Sequence, residues 1–439
     1  MAAERPTILV VGTCDTKADE LRFLARCIEA QGASARIMDV GILGTPPFAP
    51  AIGHAEVAAA AGTTPAALAA LGDENAAMAA MARGAAALAL AEHARGAVDG
   101  LLALGGTMGT DLALDVAAAL PLGMPKFVVT TVAYSHLIPP ERLAPDVMMI
   151  LWAGGLYGLN GVCRASLAQA AGAVVGACRS AVAPAAARPC VAVSSLGRSC
   201  LSYMVRLVPA LEARGCEPVV FHCTGMGGRA LEALVAQGRF VAVFDLCLQE
   251  LANELNGSVV HAGPGRLTAA GAAGVPQIVA PGASDMIDVQ AWAPLPARFA
   301  ERPRHAHNRL IASVAASVDE KCALAAEACR RLARAQGPTA LLLPQRGLHA
   351  WDRAGQPMHD PAAHAAFMSA FAAHAPPNAE LHALDLHVND DAFVDAALAI
   401  FDRWVAEGRV PRGASSAASA ASAASAASTA FTANEENRP

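Results

Sequence analysis

The chain has 439 residues, a formal net charge of −6 and 11 cysteines; 54% of it is hydrophobic and only 16% charged. That length accommodates two or three domains with sizeable cores. Mild acidity, no basic patch and 4% aromatic residues exclude nucleic acid as the expected partner, since nucleic-acid binding wants clustered Lys and Arg with stacking rings.

No run of about 18 purely apolar residues occurs, so no membrane-spanning helix is expected. The nearest stretch, GAAALALAEHARGAVDGLLAL, is broken by Glu92, His93, Arg95 and Asp99. The opening MAAERPTILVVG holds no apolar core long enough for a secretion signal. The cysteines are scattered, odd in number and free of CxxC pairs, which reads as free thiols in a reducing cytoplasm.

Along the chain, a short apolar strand, a small-residue loop and an amphipathic helix recur. TILVVG reads as a strand, followed by a helix over KADELRFLARCIEAQG. ARIMDVG, GLLALGG and KFVVTTV are further strands, with helices over DLALDVAAAL and GVCRASLAQAAGAVVGACRS. Gly-bounded apolar runs alternating with helices predict parallel strands in an α/β sheet. An Ala/Pro stretch, AVAPAAARP, marks a domain boundary near Pro184.

The pattern then restarts. CVAVSS, EPVVFHC, FVAVFDL, PQIVAPG, TALLLPQRG and ELHALDLHV read as strands; SCLSYMVRLVPALEARG and GRALEALVAQG read as helices. The expected fold is therefore α/β: two domains of similar construction, 1–184 and 185–412, with parallel sheets flanked by helices and a cleft between them. Residues 413–439 form a Ser/Ala triplet tract with no apolar face, expected to be a disordered tail.

Four sets of loop residues carry chemistry. In VVGTCDTKADE, Gly12, Thr13, Asp15, Thr16 and Lys17 lie between strand and helix. Backbone N–H groups at a helix start favour an anion, and Lys17 adds charge; the plainer reading is a helix cap by Asp15 or Thr16. In LLALGGTMGT, Gly105, Gly106, Thr107, Gly109 and Thr110 are spaced as neither a P-loop nor GxGxxG. Glycines still allow close backbone approach to phosphate, and the threonines offer hydroxyls. A tight turn without a ligand is the alternative.

In FHCTGMGGRALE, the third set, Arg229 is placed to grip a phosphate or carboxylate, or to snorkel from the helix start. The fourth set is scattered over later loops: His261, Arg266, Asp285, His305, His307, Asn308, Arg346, His359, Asp360, Asp385, His387, Asn389 and Asp390. If the strand ends converge, these His and Asp groups share a pocket for acid–base work or for a metal. Alternation along an extended segment pairs His305 with His307, and Asp385 with His387, for purely structural reasons as well. His54, His93, His364 and His374 lack such company and are expected at the surface.

Several blocks in order, among them VVGTCDTKADELRFLARCI, ALGGTMGTDLA, FHCTGMGGRALEALVAQG and ELNGSVVHAGPGRLTAAG, resemble the Tm-one-like ATP-binding family, named for a plant virus-resistance protein. The resemblance spans about residues 5–409. It implies two Rossmann-like domains, dimerisation, and ATP with Mg²⁺ on the first lobe. Residue by residue it assigns the nucleotide to Gly12, Thr13, Asp15, Thr16, Lys17, Gly105, Gly106, Thr107, Gly109 and Thr110. Thr107 and Met108 stand where the family loop has Ser and Gly.

Three functions compete at this level. One is a cytosolic nucleotide-binding metabolic enzyme. Another is a hydrolase or lyase acting on a small acidic metabolite through Arg229, His305, His307, Asp385 and His387. The last is a non-catalytic nucleotide-binding regulatory module.

Overall fold

The structure is a computed structural model that describes residues 5–155, 157–181 and 188–413. It divides into two compact units, Met1–Pro184 and Ala185–Pro439. The expected disordered tail lies outside the described residues apart from Gly413, and so do residues 182–187 of the Ala/Pro junction.

The N-terminal unit runs β1 (Thr7–Gly12), α1 (Ala18–Ala30), β2 (Ser34–Asp39), α2 (His54–Ala60), α3 (Pro65–Ala70) and α4 (Glu74–Ala94). It continues β3 (Gly100–Gly105), α5 (Thr107–Ala119), β4 (Lys126–Thr130), β5 (Val147–Leu151) and α6 (Gly161–Ser180). The sheet order is β2-β1-β3-β4-β5, with every pairing parallel.

Period-2 alternation splits the apolar strands between two helical layers. Ile8, Val10, Leu102 and Leu104 pack with Leu21, Leu24 and Ile28 of α1 and Leu167 and Val174 of α6. Leu9, Val11, Leu101 and Ala103 pack with Met81 and Ala85 of α4 and Leu112 and Val116 of α5. Small residues set how closely the helices approach: a Cβ on Gly84 would lie 2.0 Å from the Val57 carbonyl oxygen. Helix α6 is long and apolar enough to cross a membrane by composition. In this fold it buries Leu167, Ala171, Val174 and Val175 in the α1 layer.

The C-terminal unit runs β6 (Cys190–Ser195), α7 (Met204–Ala213), β7 (Glu217–His222), α8 (Met226–Ala236), β8 (Ala242–Asp245), α9 (Gln249–Leu255) and α10 (Ala269–Ala272). Then come β9 (Gln277–Val279), β10 (Met286–Gln290), β11 (Arg304–Ala306), β12 (Ile311–Ala315) and α11 (Val318–Leu332). The unit ends with β13 (Thr339–Pro344), α12 (Pro361–His374), β14 (Ala379–Leu384) and α13 (Asp391–Ala406). Its main sheet is parallel, β14-β13-β9-β8-β6-β7. A small antiparallel sheet, β10-β12-β11, is an addition the sequence pattern did not announce.

Arg266 ties this unit together from inside. Its guanidinium is fully buried and meets Asp245, Glu250 and Glu232. Nη2 donates to Asp245 Oδ1 at 2.6 Å and to the Cys247 carbonyl at 2.9 Å; Nε donates to Glu250 Oε2 at 2.9 Å. Removing the cation strands two buried carboxylates, Asp245 and Glu250, and the half-buried Glu232. Urea unfolding of Arg266→Met is therefore expected to show a loss of about 3–5 kcal/mol.

Candidate functional site

In the N-terminal sheet β1 and β3 are neighbours, yet β1 leads into α1 in one layer and β3 into α5 in the other. The two loops diverge and leave a crevice at the strand carboxyl ends, where α/β sheets place ligands. A cavity of about 260 Å³ lies there. Thr13, Asp15, Thr16 and Lys17 line it from the β1 side, and Gly105, Gly106, Thr107 and Gly109 from the β3 side. Ile42, Leu43, Glu74, Met78, Leu104 and Met108 complete the wall.

Gly12 and Thr110, the other two residues assigned to the nucleotide, are not in this lining. Gly12 lets α1 approach, since a Cβ there would lie 2.8 Å from Leu21 Cδ2. Thr110 is buried and donates to the Gly106 carbonyl at 2.7 Å, with its oxygen 2.6 Å from Thr130 Oγ1. The reason is the start of α5: it begins at Thr107, ahead of the helix read over DLALDVAAAL. Met108 thus takes a helical conformation and needs no left-handed backbone; its exposed side chain forms wall.

The α5 N-terminus opens on this cavity, and its cap residue, Gly106, brings no side-chain acceptor. The β1 loop is tied down differently. Asp39 Oδ1 accepts from Cys14 N–H at 2.8 Å and Gly41 N–H at 2.9 Å. Asp15 Oδ2 accepts from Leu43 N–H at 2.8 Å, while its Oδ1 is buried without a hydrogen-bond partner. The Lys17 ammonium stands 5.3 Å from the Trp152 ring centroid.

The look-alike loop FHCTGMGG has a different fate. Gly225 and Gly228 at the start of α8 donate N–H bonds of 2.6 and 3.0 Å to Glu250 Oε1. The anion that this helix terminus attracts is the protein's own carboxylate, which Arg266 holds from its other oxygen. A Cβ on Gly228 would lie 1.8 Å from Glu250 Oε2, so the glycine serves this internal contact.

The C-terminal sheet has its own switch point, between β6, which leads to α7, and β8, which leads to α9 on the opposite layer. A cavity of about 390 Å³ lies there. Leu196 and Cys200 line it after β6, His222 and Thr224 at the end of β7, and Gln249 after β8. The small sheet and its loops add Asp288, His307, Asn308, Leu310, Ile311 and Ser313; Val260 and Trp351 close it. Cys200 is not a nucleophile here: burial, with Asp285, Asp288 and Asp352 nearby, pushes its thiol well above the ordinary range.

Next to Cys200 and Trp351 is a buried group of Asp285, His349, Asp352 and His387. Ligating atoms of Asp285, His349 and Asp352 lie within 4.8 Å of one another. They pair off as His349 with Asp285 and His387 with Asp352. His349 Nδ1 accepts the Trp351 N–H at 3.1 Å, and its Nε2 faces Asp285 Oδ1 at 3.2 Å, neither Nε2 nor Oδ1 having a hydrogen-bond partner among the described residues. His387 repeats this arrangement: Nδ1 accepts from Asn389 N–H at 3.0 Å and Nε2 faces Asp352 Oδ1 at 3.0 Å. Lys321 Nζ, 3.9 Å from Asp285 Oδ2, already supplies positive charge. These pairs fasten the loops after β13 and β14 to β10. Ala283, two residues before Asp285, sits at φ 55°, a left-handed conformation that costs a non-glycine residue and is fixed by its N–H bond to Leu348.

The five residues expected to act together do not converge. His305 stacks on Trp351 at 3.8 Å, and His307 lines the cavity. His387 is buried against Asp352. Asp385 is exposed, in an ion pair with Arg346. Arg229 stands in the first turn of α8 and donates to the His261 carbonyl at 3.5 Å. His54 and His364, expected as plain surface groups, are half-buried and hydrogen-bonded, to Asp39 at 3.1 Å and to the Pro344 carbonyl at 2.9 Å.

Sequence reasoning passed over His349, Trp351 and Asp352, and also Asp288 and Gln249. The signal for the first three was GLHAWD, a polar and aromatic run that begins three residues past the end of β13. Asp288 and Gln249 lie inside short elements with no spacing to mark them.

Family models match both units. The Uncharacterised protein family (UPF0261) N-terminal domain matches residues 6–183, and its C-terminal domain matches residues 188–405. The chain belongs to the UPF0261 family. A UPF0261 protein of Brucella melitensis is 54% identical over 93% of this chain and 98% of its own length. One from Clostridium tetani is 33% identical over 80% of this chain and 86% of its own. The tomato ToMV resistance protein Tm-1(GCR237) is 28% identical over 69% of this chain and 41% of its own length. The resemblance to the plant protein is thus partial.

Two expectations follow for these sites. A Cβ on Gly105 would lie 2.6 Å from the Gly109 backbone, so Gly105→Ala should cost about 1–3 kcal/mol in thermal or urea unfolding. For Asp285, burial opposes the charge, but His349 and Lys321 outweigh it and hold the carboxyl below its ordinary range. A depressed folded value stabilises the protein above the unfolded value of about 3.9, and that stabilisation fades as pH falls below it. Unfolding followed from pH 7 to pH 3 should therefore show a steeper acid loss for the wild type than for Asp285→Asn.

Proposed function

We propose that the N-terminal unit binds a nucleotide, ATP being the first candidate, with its phosphates at the start of α5. One contrast carries this reading. The contrast is between two of the glycine-bearing helix starts that follow parallel strands, those of α8 and α5. At α8 the terminus is filled by Glu250, whereas α5 has no side-chain cap and opens into a switch-point cavity beside Lys17. An uncapped helix start in such a crevice suits phosphate oxygens. The sequence resemblance to an ATP-binding family supports the same loops.

The donor set also fits Mg²⁺. Asp15 and Glu74 line the cavity, and Asp15 Oδ1 is a buried oxygen that lacks a hydrogen-bond partner. Carboxylates facing a phosphate site are repulsive alone and become compatible once a hard cation lies between. Asp15 and Glu74 would hold it, and it would supply charge neutralisation for the phosphates. Binding is placed ahead of hydrolase or lyase chemistry because Arg229, His305, His307, Asp385 and His387 do not converge.

Gly106 separates binding from folding. A Cβ there meets nothing closer than Thr131 Oγ1 at 4.0 Å, and its backbone is extended. In thermal shift and calorimetry, ATP with Mg²⁺ is expected to stabilise the wild type, by about 2.7 kcal/mol at a hundredfold excess over Kd. Gly106→Val is expected to weaken binding at least about tenfold while keeping the ligand-free melting temperature. Absence of binding by ATP, ADP and AMP, with and without Mg²⁺, overturns the reading.

A further inference from the structure

The C-terminal cavity differs from the first in its charge. No Lys or Arg lines it. Its floor holds Asp288, which is 3% exposed and forms no ion pair among the described residues. Three neutral side chains fix the carboxylate: Gln249 Nε2 donates at 2.8 Å and Ser313 Oγ at 2.7 Å to Oδ1, and Asn253 Nδ2 at 3.1 Å to Oδ2. Asn253 Oδ1 in turn accepts the Asp288 N–H at 2.7 Å. The acid is thus held in place by neutral groups; burial outweighs them and pushes its carboxyl above the ordinary range, with His307 acting the other way.

Buried charges are normally paired, because an uncompensated charge in a desolvated setting is costly. Elsewhere in this unit the rule is kept: Asp245 and Glu250 meet Arg266, and Asp285 meets Lys321. Asp288 stands apart from that pattern, and it does so on the wall of a cavity large enough for a small molecule. The rest of the wall combines an apolar side, with Leu196, Val260, Leu310, Ile311 and the Trp351 ring, and a polar side with His222, Thr224, His307 and Asn308.

We propose that this cavity binds an organic cation: a primary amine or guanidino compound with a short apolar or ring-shaped body and no carboxylate or phosphate. The charged end sits on Asp288, and the body lies among the apolar groups, where Trp351 adds attraction for a cation near its face. Donors that converge on Asp288 are side-chain N–H and O–H groups, which repel a bare metal ion and leave the carboxylate for a hydrogen-bonding cation. This departs from the acidic ligand expected from the sequence, because Arg229 is not in the lining.

The test is calorimetry and thermal shift of the full chain with tyramine, phenethylamine and agmatine, each set against a matched acid such as phenylacetate. Amines are expected to bind and the acids not to. Asp288→Asn removes the charge and keeps an acceptor for Gln249 and Ser313; it should weaken amine binding at least about tenfold. Leu310→Lys changes an exposed lining residue and places an internal ammonium in the cavity, so it should abolish amine binding without loss of stability. Gly106→Val should bind amines normally, which keeps this outcome distinct from that of the nucleotide reading. Equal or tighter binding of the acids, a response to inorganic cations alone, no response to any amine, or unchanged amine binding by Asp288→Asn overturns the proposal.

Discussion

Both units depend on one constraint, the reversal in the order in which strands are added to a parallel sheet. The chain lays down β1, steps to one side for β2, then returns to add β3 on the other side of β1. It repeats the manoeuvre with β6, β7 and β8. Helices that follow the two central strands must then cover opposite faces of the sheet. Their connecting loops cannot pack on each other, and a crevice remains at the carboxyl ends. Each of the two switch-point cavities occupies such a crevice. The apolar alternation that builds the layers therefore also fixes where a ligand can enter, before any polar side chain is considered.

What happens at each crevice depends on how nearby backbone amides are satisfied. At α8 the chain supplies Glu250 as the anion and Arg266 as its counter-ion, so the glycine-rich turn is consumed internally. The same ion-pair centre reaches Asp245 at the end of β8 and Glu232 of α8, whose carboxylate accepts N–H bonds from Thr268 and Ala269 at the start of α10. A loop that looks like a phosphate cradle in sequence is here a rivet between α8, β8, α9 and α10. At α5 no comparable acceptor is provided by the cap residue. Loops of similar composition thus differ in chemistry according to residues far away in sequence.

This explains how much of the molecule was legible beforehand. The parallel strands were readable because both faces are buried, so they appear as continuous runs such as ILVV and LLAL. The two loops of the first cavity were readable because they directly follow those runs. The start of α5 was misplaced because Thr107, Met108 and Gly109 carry weak helix signals, and packing decides the matter. The small sheet β10-β12-β11 was missed because its strands are short and partly exposed and lack a sustained pattern. His349 and Asp352 escaped notice for another reason: their meaning comes from Asp285 and His387, which are distant in the chain. The glycine-rich turn before Arg229 gave no sign of Glu250, which fills the space a side chain at Gly228 would need.

Seen together, the two cavities have opposite electrostatic characters. The first combines helix amides and Lys17 with carboxylates that a divalent cation would offset, which suits an anionic ligand bound with its metal. The second presents one buried carboxylate, Asp288, in a lining that holds no Lys or Arg and is apolar on one side. A phosphate placed in the second would face Asp288 without a cation to compensate, and an amine placed in the first would meet the positive end of α5. Each repulsion acts in a partly desolvated setting, where charge interactions are stronger than in water. On the two proposed readings, one small ligand does not suit both sites, and an activity that engaged both would bring two chemically distinct molecules.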